Sequence, residues 1–315
     1  EGKAAQKVEY MDPTGEITIT TSLTWKDVIE DKTLGLLKAL YTITKTFSSE
    51  YKGKDDLLLT TEYTRRMSAE EIAEITGIIG SGTITRVYEA GLDTLSSVRQ
   101  TYRIKASTEV GEHKGMDAKD LPMTVTKIWE ADFTGDPTST IYTYKVYDEI
   151  DKRLITYTDT FFGNIFDTRV KTYYAKVEGV NNNEVVNVTE NYIGENIFDS
   201  ISYSYWKENI KTIQKDIKLT DQDESLRTVK VTENYLDKAH TILESSYYAY
   251  YLEGAKLILE RFEGSITSLM RVSVEARSTI PYEGKSAQKI EYMDPTGEII
   301  ITTSLTYKDV IEDTN

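Results

Sequence analysis

Apolar and polar residues alternate with a period of two along most of the chain. Between residues 97 and 106, every second residue from Val98 to Ala106 falls on one side, and every second residue from Arg99 to Lys105 falls on the other. That pattern is typical of a β-strand with one buried face. Similar alternation predicts strands at residues 123–133, 141–147, 201–206, 212–219, 228–235, 268–276 and 288–303.

Turn signals separate these segments. Residues 12–15 (DPTG) recur as residues 294–297, and residues 135–137, 163–164 and 179–183 carry the Gly, Asn, Asp and Pro that favour tight turns. Strand, turn, strand is therefore the local unit. The sequence predicts a mainly β fold: an antiparallel sheet of hairpin repeats, arranged as a spiral, a tube or an elongated repeat array, with one or two short helices.

Two segments show helical spacing. Ser68 followed by Glu71 fits a capping box, and four isoleucines between Ile72 and Ile79 recur at helical spacing before Gly80. We interpret this helix as a short plug over an edge or face of the sheet. Residues 25–40 are a second, weaker helix candidate. No apolar run approaches the roughly 20 residues that a membrane-spanning helix requires.

The two ends of the chain carry nearly the same sequence. Residues 1–31 and 283–313 differ at four of 31 positions, with a constant offset of 282. Either the chain is one period of a tandem array plus the start of the next, or it is a complete protein with duplicated ends. We favour the array, in which residues 1–282 form one repeat and residues 283–315 begin the next copy. The four differences are Ala4 against Ser286, Val8 against Ile290, Thr18 against Ile300 and Trp25 against Tyr307.

Composition narrows the classes of function. The chain has 37 Lys and Arg against 52 Asp and Glu, a formal net charge of −15, which argues against a surface for nucleic-acid phosphates. Cysteine is absent, which excludes disulfides, thiolate metal sites and cysteine nucleophiles. The 23 tyrosines could offer flat rings to a carbohydrate or polymer. We favour cross-strand Tyr and Thr pairs instead, which stabilise a sheet by about 0.2–1 kcal/mol each.

Histidines for acid–base catalysis are scarce. A Ser-His-Asp triad needs a histidine between its nucleophile and its carboxylate, and only His113 and His240 are present. Both lie in polar stretches near turns, and we interpret them as incidental surface residues. We therefore expect no catalytic residue.

Acidic residues suggest a weak calcium site. Asp221, Asp223 and Glu224 alternate in a way that suits Ca²⁺, which takes about six to eight oxygen ligands. They do not resemble an EF-hand, and we favour solvated turn acids, here and at residues 55–56. We expect no metal and no cofactor, with Ca²⁺ as the weaker alternative. Asn187 begins a single N-glycosylation sequon. It is a weak signal, since it matters only in an organism and a compartment in which N-glycosylation takes place.

One segment resembles a known family. Within residues 142–174, Tyr147-Asp148 precedes Arg153, and a Thr-Asp pair ending at Asp159 precedes Gly163. This order resembles the tyrosine–aspartate repeats of Rhs-type and teneurin-like proteins, although Lys152 replaces the family glycine and both turns are one residue longer. The resemblance covers about 30 residues. It implies β-hairpins in a long spiralling sheet of a secreted or surface-exposed protein.

These observations favour a structural protein over an enzyme. We expect one repeat of an extracellular or cell-surface fibre or sheath, whose sheet continues from repeat to repeat and whose partners are copies of itself. The alternative is a binding module of a giant surface adhesin or an Rhs-like shell enclosing a cargo, and a polysaccharide-active enzyme is a third. The residues predicted at the repeat–repeat interface belong to the duplicated motif: Tyr10, Ile17, Ile19, Trp25, Tyr292, Ile299, Ile301 and Tyr307.

Overall fold

The computed structural model describes residues 3–52, 57–89, 95–105, 122–130, 134–194, 196–210, 227–252, 256–265 and 268–311. Within them lie one short helix, α1 (Ala69–Ala73), a 3₁₀ turn (Asn181–Asn183) and eighteen strands. The strands are β1 Lys3–Met11, β2 Thr18–Asp31, β3 Leu36–Phe47, β4 Leu58–Arg66, β5 Thr83–Glu89, β6 Leu95–Lys105, β7 Pro122–Glu130, β8 Ser139–Asp148, β9 Arg153–Phe162, β10 Ile165–Lys176, β11 Val185–Ile193, β12 Ile197–Ile210, β13 Arg227–Tyr235, β14 Leu243–Leu252, β15 Lys256–Ser265, β16 Ser268–Tyr282, β17 Lys285–Met293 and β18 Ile300–Ile311.

The strands form one closed sheet. Each pairs antiparallel with its neighbours along the chain, and β18 pairs with β1. This confirms the predicted antiparallel hairpin fold and gives it the form of a tube. Tight turns explain the simple connectivity. For example, only Glu283 and Gly284 separate β16 from β17, with φ of 48° and 75°, and this left-handed conformation at both positions is typical of a two-residue hairpin turn.

The tube has two ends, which we name by what they carry. The turn end is where β1 ends and β2 begins, and it bears both copies of the DPTG turn. The helix end is the opposite one, where α1 lies between β4 and β5. Because the strands alternate in direction, each described turn belongs to one of these ends.

Alternation decides which side chains are buried. In β6 the buried residues are Val98, Gln100, Tyr102 and Ile104, while Arg99, Arg103 and Lys105 are exposed. This confirms the strand prediction up to Lys105. The buried face of the sheet is rich in aliphatic and aromatic side chains, the largest cluster running from Ile155 on β9 to Met293 on β17.

Hydroxyl pairs line the other face. Neighbouring strands bring Thr or Ser side chains opposite one another, as the sequence predicts, and their hydroxyl groups lie within hydrogen-bonding distance. The pairs are Ser22–Thr46 (3.2 Å), Thr24–Thr44 (3.0 Å), Thr64–Thr85 (2.8 Å), Thr101–Thr126 (3.1 Å), Thr143–Thr158 (3.3 Å), Thr172–Thr189 (3.4 Å) and Ser204–Thr232 (2.7 Å).

The capping box of α1 is confirmed, but the helix is short. Ser68 Oγ accepts from the Glu71 backbone N–H (3.3 Å), and a Glu71 carboxylate oxygen accepts from the Ser68 N–H (2.7 Å). Arg65 donates to both carboxylate oxygens of Glu71 (2.6 and 2.7 Å). The isoleucines at 72, 75 and 78 pack against the cluster that includes Tyr102, as a plug would.

The helix predicted at residues 25–40 is wrong. These residues form the end of β2, a turn and the start of β3. The Asp31 carboxylate accepts from the backbone N–H groups of Thr33 and Leu34 (2.9 and 3.1 Å), and Gly35 has φ 63°. A side chain that caps a turn in this way competes with a continuous helix.

The alternating segment 288–303 is two strands, β17 and β18, because the second DPTG turn interrupts it. The strand predicted at 212–219 lies outside the described residues.

Candidate functional site: the duplicated hairpins and the ends of the tube

The two copies of the duplicated motif fold into equivalent hairpins. Lys3 bonds Asp27 across β1 and β2 at 2.6 Å, and Lys285 bonds Asp309 across β17 and β18 at the same distance. The turns match too, since the carboxylate of Asp12 accepts from the backbone N–H five residues on at 3.1 Å, and its counterpart does likewise. Hydrogen bonds from that N–H and from Thr14 lower the pKa of Asp12.

These hairpins meet where the tube closes. We call the pairing of β1 with β18 the seam; it runs from Lys3 opposite Ile311 to Met11 opposite Thr303. β18 takes the place on β1 that β16 takes on β17, since Met293 lies opposite Val274. β1 in turn takes the place on β18 that β3 takes on β2. At the seam, β18 therefore occupies the position that β16 has beside β17, and β1 occupies the position that β3 has beside β2.

A buried carboxylate marks the seam. Glu9 is 3 % exposed and accepts a hydrogen bond from the Tyr307 hydroxyl at 2.7 Å. Lys7 Nζ lies 2.8 Å from the same carboxylate. Burial, with the negative charge of Glu9 beside it, raises the pKa of Tyr307, so the phenol stays protonated and can donate. Lys289 and Glu291 repeat the Lys7–Glu9 ion pair in the second copy, at 2.6 Å.

One of the four differences between the copies lies at this contact. Trp25 occupies the position in β2 that Tyr307 occupies in β18, and it packs against a buried cluster with Tyr41 and Ile43 on β3. The copy that faces Glu9 therefore carries a hydroxyl, while the copy that faces β3 carries an indole.

The predicted interface residues are mostly exposed. Trp25 is half-buried and Tyr307 buried, whereas Tyr10 lies at the outer face and is 44 % exposed. Its counterpart Tyr292 is half-buried, and burial raises the pKa of its phenol. The remaining four, Ile17, Ile19, Ile299 and Ile301, are exposed at the turn end of the tube.

Most of the other exposed apolar side chains lie near turns at the two ends of the tube, whereas Trp206 and Tyr247 are exposed within strands. Amino-acid composition gave no sign of this distribution, because the distribution depends on where the strands end. At the turn end, besides the four isoleucines above, they are Leu57, Leu59, Phe162, Ile165, Ile193, Ile197, Leu236 and Ile242. At the helix end they are Val28, Leu37, Leu40, Ile79, Tyr147, Ile150, Leu154, Tyr174, Val185 and Val310.

Sequence reasoning missed a set of buried tyrosine–carboxylate contacts. Asp159 is fully buried; it accepts from the Tyr144 hydroxyl at 2.8 Å and from two nitrogens of Arg169 at 2.8 and 2.9 Å. It belongs to the Thr-Asp pair of the resemblance described above. A buried carboxylate is tolerated only with such partners, and these contacts link the side chains of β8, β9 and β10.

Glu190 is the second member of this set. It is 7 % exposed and accepts from the hydroxyls of Tyr173 and Tyr192, with Lys171 Nζ at 3.8 Å. Burial by itself would raise the pKa of Glu190, but the two hydroxyls and the nearby lysines lower it overall. Alternation alone gives no signal for these contacts, because it cannot tell which inward residues oppose each other.

Of the remaining candidates, His240 and Asn187 lie within the described residues. His240 is half-buried rather than a plain surface residue: its ring meets the Tyr203 ring edge-on at 4.7 Å, its Nε2 hydrogen-bonds the Tyr203 hydroxyl, and burial lowers its pKa. Asn187 lies half-buried on β11, opposite Ser204. His113, residues 55–56, and the Ca²⁺ candidates Asp221, Asp223 and Glu224 lie outside the described residues.

In the part of the chain that the structure describes, no three His, Asp or Glu side chains gather as a metal site would require. Nor does any helix in that part have the length and apolar character to cross a membrane.

Comparison with known proteins adds no identity. No family model matches the chain, and neither a curated protein nor a solved structure matches it.

Proposed function

We propose that this chain is a structural protein, a tubular unit that associates with copies of itself into a fibre, sheath or cell-surface filament. The observation that carries the proposal is the distribution of exposed apolar side chains, most of which lie near the turns at the two ends of the tube, with Trp206 and Tyr247 as exceptions within strands. Hydroxyl pairs occupy the outer face between the ends. Exposed apolar side chains are thus concentrated at the ends, which favours contact along the tube axis.

End-to-end contact would remove exposed apolar surface from water at both ends of the tube. Burying one aliphatic side chain contributes roughly 1.5–3 kcal/mol, and stacking the turn end of one tube on the helix end of the next would bury several on each side. Such a contact joins two different surfaces, so it leaves a free surface at each end of the pair and generates a filament.

The net charge favours separate filaments. A charge of −15 on each copy repels copies that approach side by side. That repulsion is screened beyond about 8 Å at physiological salt, so added salt should promote side-by-side association of the filaments. An extracellular or cell-surface location stays a prediction, made from the resemblance to tyrosine–aspartate repeats.

The test removes apolar surface from one end. Ile193 and Ile197 lie opposite each other beside a turn at the turn end, 55 % and 67 % exposed. Replacing both by Asp should weaken self-association on the order of a hundredfold, because about 3 kcal/mol of apolar burial is lost. Sedimentation velocity over a concentration series measures the effect.

A matched control places charge on the side of the tube. Tyr247 lies on β14 away from both ends and is 37 % exposed, so Tyr247→Asp should leave self-association unchanged. A native chain that stays monomeric at every concentration would contradict the proposal and favour the binding-module alternative. Equal loss of assembly in both variants would contradict end-to-end contact.

A further inference from the structure

We infer that the seam is exchangeable: the edge of β1 that pairs with β18 of the same chain can pair instead with β18 of a second copy of this chain. The inference deepens the proposed function, because it gives self-association a second surface. The two can fail separately, since the seam involves strand edges and the end contact involves side chains beside turns.

The first support is the equivalence of registers. β18 sits on β1 in the place of β16, and β1 sits on β18 in the place of β3. Each edge is therefore able to accept more than one strand, and what recognises the partner is a backbone ladder of nine residue pairs. A strand of a second copy offers the same ladder.

The second support is the number of strands. The structure describes sixteen strands within residues 1–282, whereas the closed sheet contains eighteen. In a tandem array, a hairpin that closes one copy as β17 and β18 cannot also serve the next copy as β1 and β2. Closure of one copy and continuation of the sheet into the next copy therefore compete for the same hairpin. Opening the seam is the step that converts the closed form into the continued one.

The third support is the cost of leaving the seam open. Opening exposes two unpaired strand edges, which are templates for pairing with another chain. It also exposes the Glu9 carboxylate, which the Tyr307 hydroxyl and Lys7 satisfy in the closed form. A second copy supplies the same Tyr307, so the exchanged seam restores every contact of the closed one.

Concentration decides between the two forms. Within one chain, β1 and β18 are tethered and meet at a concentration that does not depend on the sample, so dilute protein closes on itself. Refolding at rising protein concentration should give an increasing fraction of exchanged pairs, in which β18 of each chain meets β1 of another.

Engineered cysteines report the exchange, because the chain has none of its own. Gln6 and Lys308 are exposed and directly opposite across the seam, and residues so placed have Cα atoms about 4.5–5.5 Å apart, within disulfide range. The full-length variants Gln6→Cys and Lys308→Cys are mixed, unfolded, refolded together under oxidising conditions and separated without reductant. Neither chain alone can close a disulfide within itself.

A matched pair measures random collision. Gln288 is the counterpart of Gln6 in the second copy, is equally exposed, and faces β16 and β18. We expect mixed Gln6→Cys and Lys308→Cys chains to give at least about tenfold more heterodimer than mixed Gln6→Cys and Gln288→Cys chains, because thiols held opposite each other on paired strands react as an intramolecular pair, whereas the control thiols meet only by collision. The yield should rise with protein concentration.

Two results would overturn the inference. The first is a heterodimer yield equal to the control at all concentrations, in chains whose circular dichroism shows the β fold. The second is a single chain carrying both Gln6→Cys and Lys308→Cys that folds but forms no internal disulfide. The Ile193→Asp and Ile197→Asp chain should exchange normally, which separates the seam from the end contact.

Discussion

At the scale of single residues, the seam depends on a hydroxyl that only one copy of the motif carries. Tyr307→Phe removes the Tyr307 donor to Glu9 and keeps the ring that packs against Tyr282 at 5.2 Å between centroids. We expect a loss of about 1.5–3 kcal/mol in the free energy of unfolding, the usual worth of a hydrogen bond to a charged group. Urea unfolding followed by tyrosine fluorescence measures it.

The control for this prediction is an exposed tyrosine of the same motif. Tyr10 is 44 % exposed, so Tyr10→Phe should change stability by less than about 0.5 kcal/mol, as is usual for surface substitutions. If the two variants unfold at the same urea concentration, the hydroxyl at the seam contributes nothing and the account of closure given above is wrong.

Glu190 makes stability depend on acid. Its pKa in the folded chain lies below the ordinary 4.5, so the stability that it contributes is complete above pH 4.5 and is lost as the pH falls through the lowered pKa. Glu190→Gln should cost about 1.5–3 kcal/mol at pH 7 by weakening charge-assisted hydrogen bonds, and the difference from the native chain should shrink at pH 3.

Urea unfolding at the two pH values tests this dependence. Glu62→Gln is the matched control, because Glu62 is exposed on β4, and it should give the same small difference at both. A Glu190→Gln chain that stays destabilised by the same amount at pH 3 would show that packing, and not the carboxylate charge, is what the substitution disturbs.

At the scale of elements, local sequence signals predicted individual strands and turns, but not the overall shape of the sheet. Alternation located β6 and its buried face because period two depends on the pleat alone, and the DPTG turns were recognisable because Asp12 caps its own turn. The helix expected at residues 25–40 failed because apolar residues at strand spacing on two sides of a turn also match helical spacing. Here the caps of Asp31 decided the outcome.

The resemblance to tyrosine–aspartate repeats stays a prediction. Lys152 stands where those repeats have glycine, and its φ of 49° lies in the left-handed region that glycine favours. The buried contacts of Asp159 could not be predicted from the motif, because they require knowing that Tyr144 and Arg169 flank it on two strands.

At the scale of the whole molecule, closure joins residues almost a full chain length apart, and no local pattern could select it over a spiral or an open array. The duplication nevertheless contains the information. β1 and β17 differ only at Ala4 against Ser286 and Val8 against Ile290, so an edge of β16 that fits β17 should fit β1 as well.

The duplication predicts that a chain ending at Tyr282 closes without its last hairpin. With β17 and β18 removed, β16 should pair with β1 in the register it has with β17, giving a tube of sixteen strands.

Gln288 faces Thr279 across β16 and β17, so its counterpart Gln6 should face Thr279 in the shortened chain. Gln6 and Thr279 are both exposed, and cysteines at these two positions of the shortened chain should form an internal disulfide. The disulfide is detected by the changed gel mobility of the chain without reductant. In the full-length chain β17 and β18 separate the two positions, and the same cysteines should stay reduced. A folded short chain without the disulfide would show that β18, and not the repeated sequence of β1, is what makes closure possible.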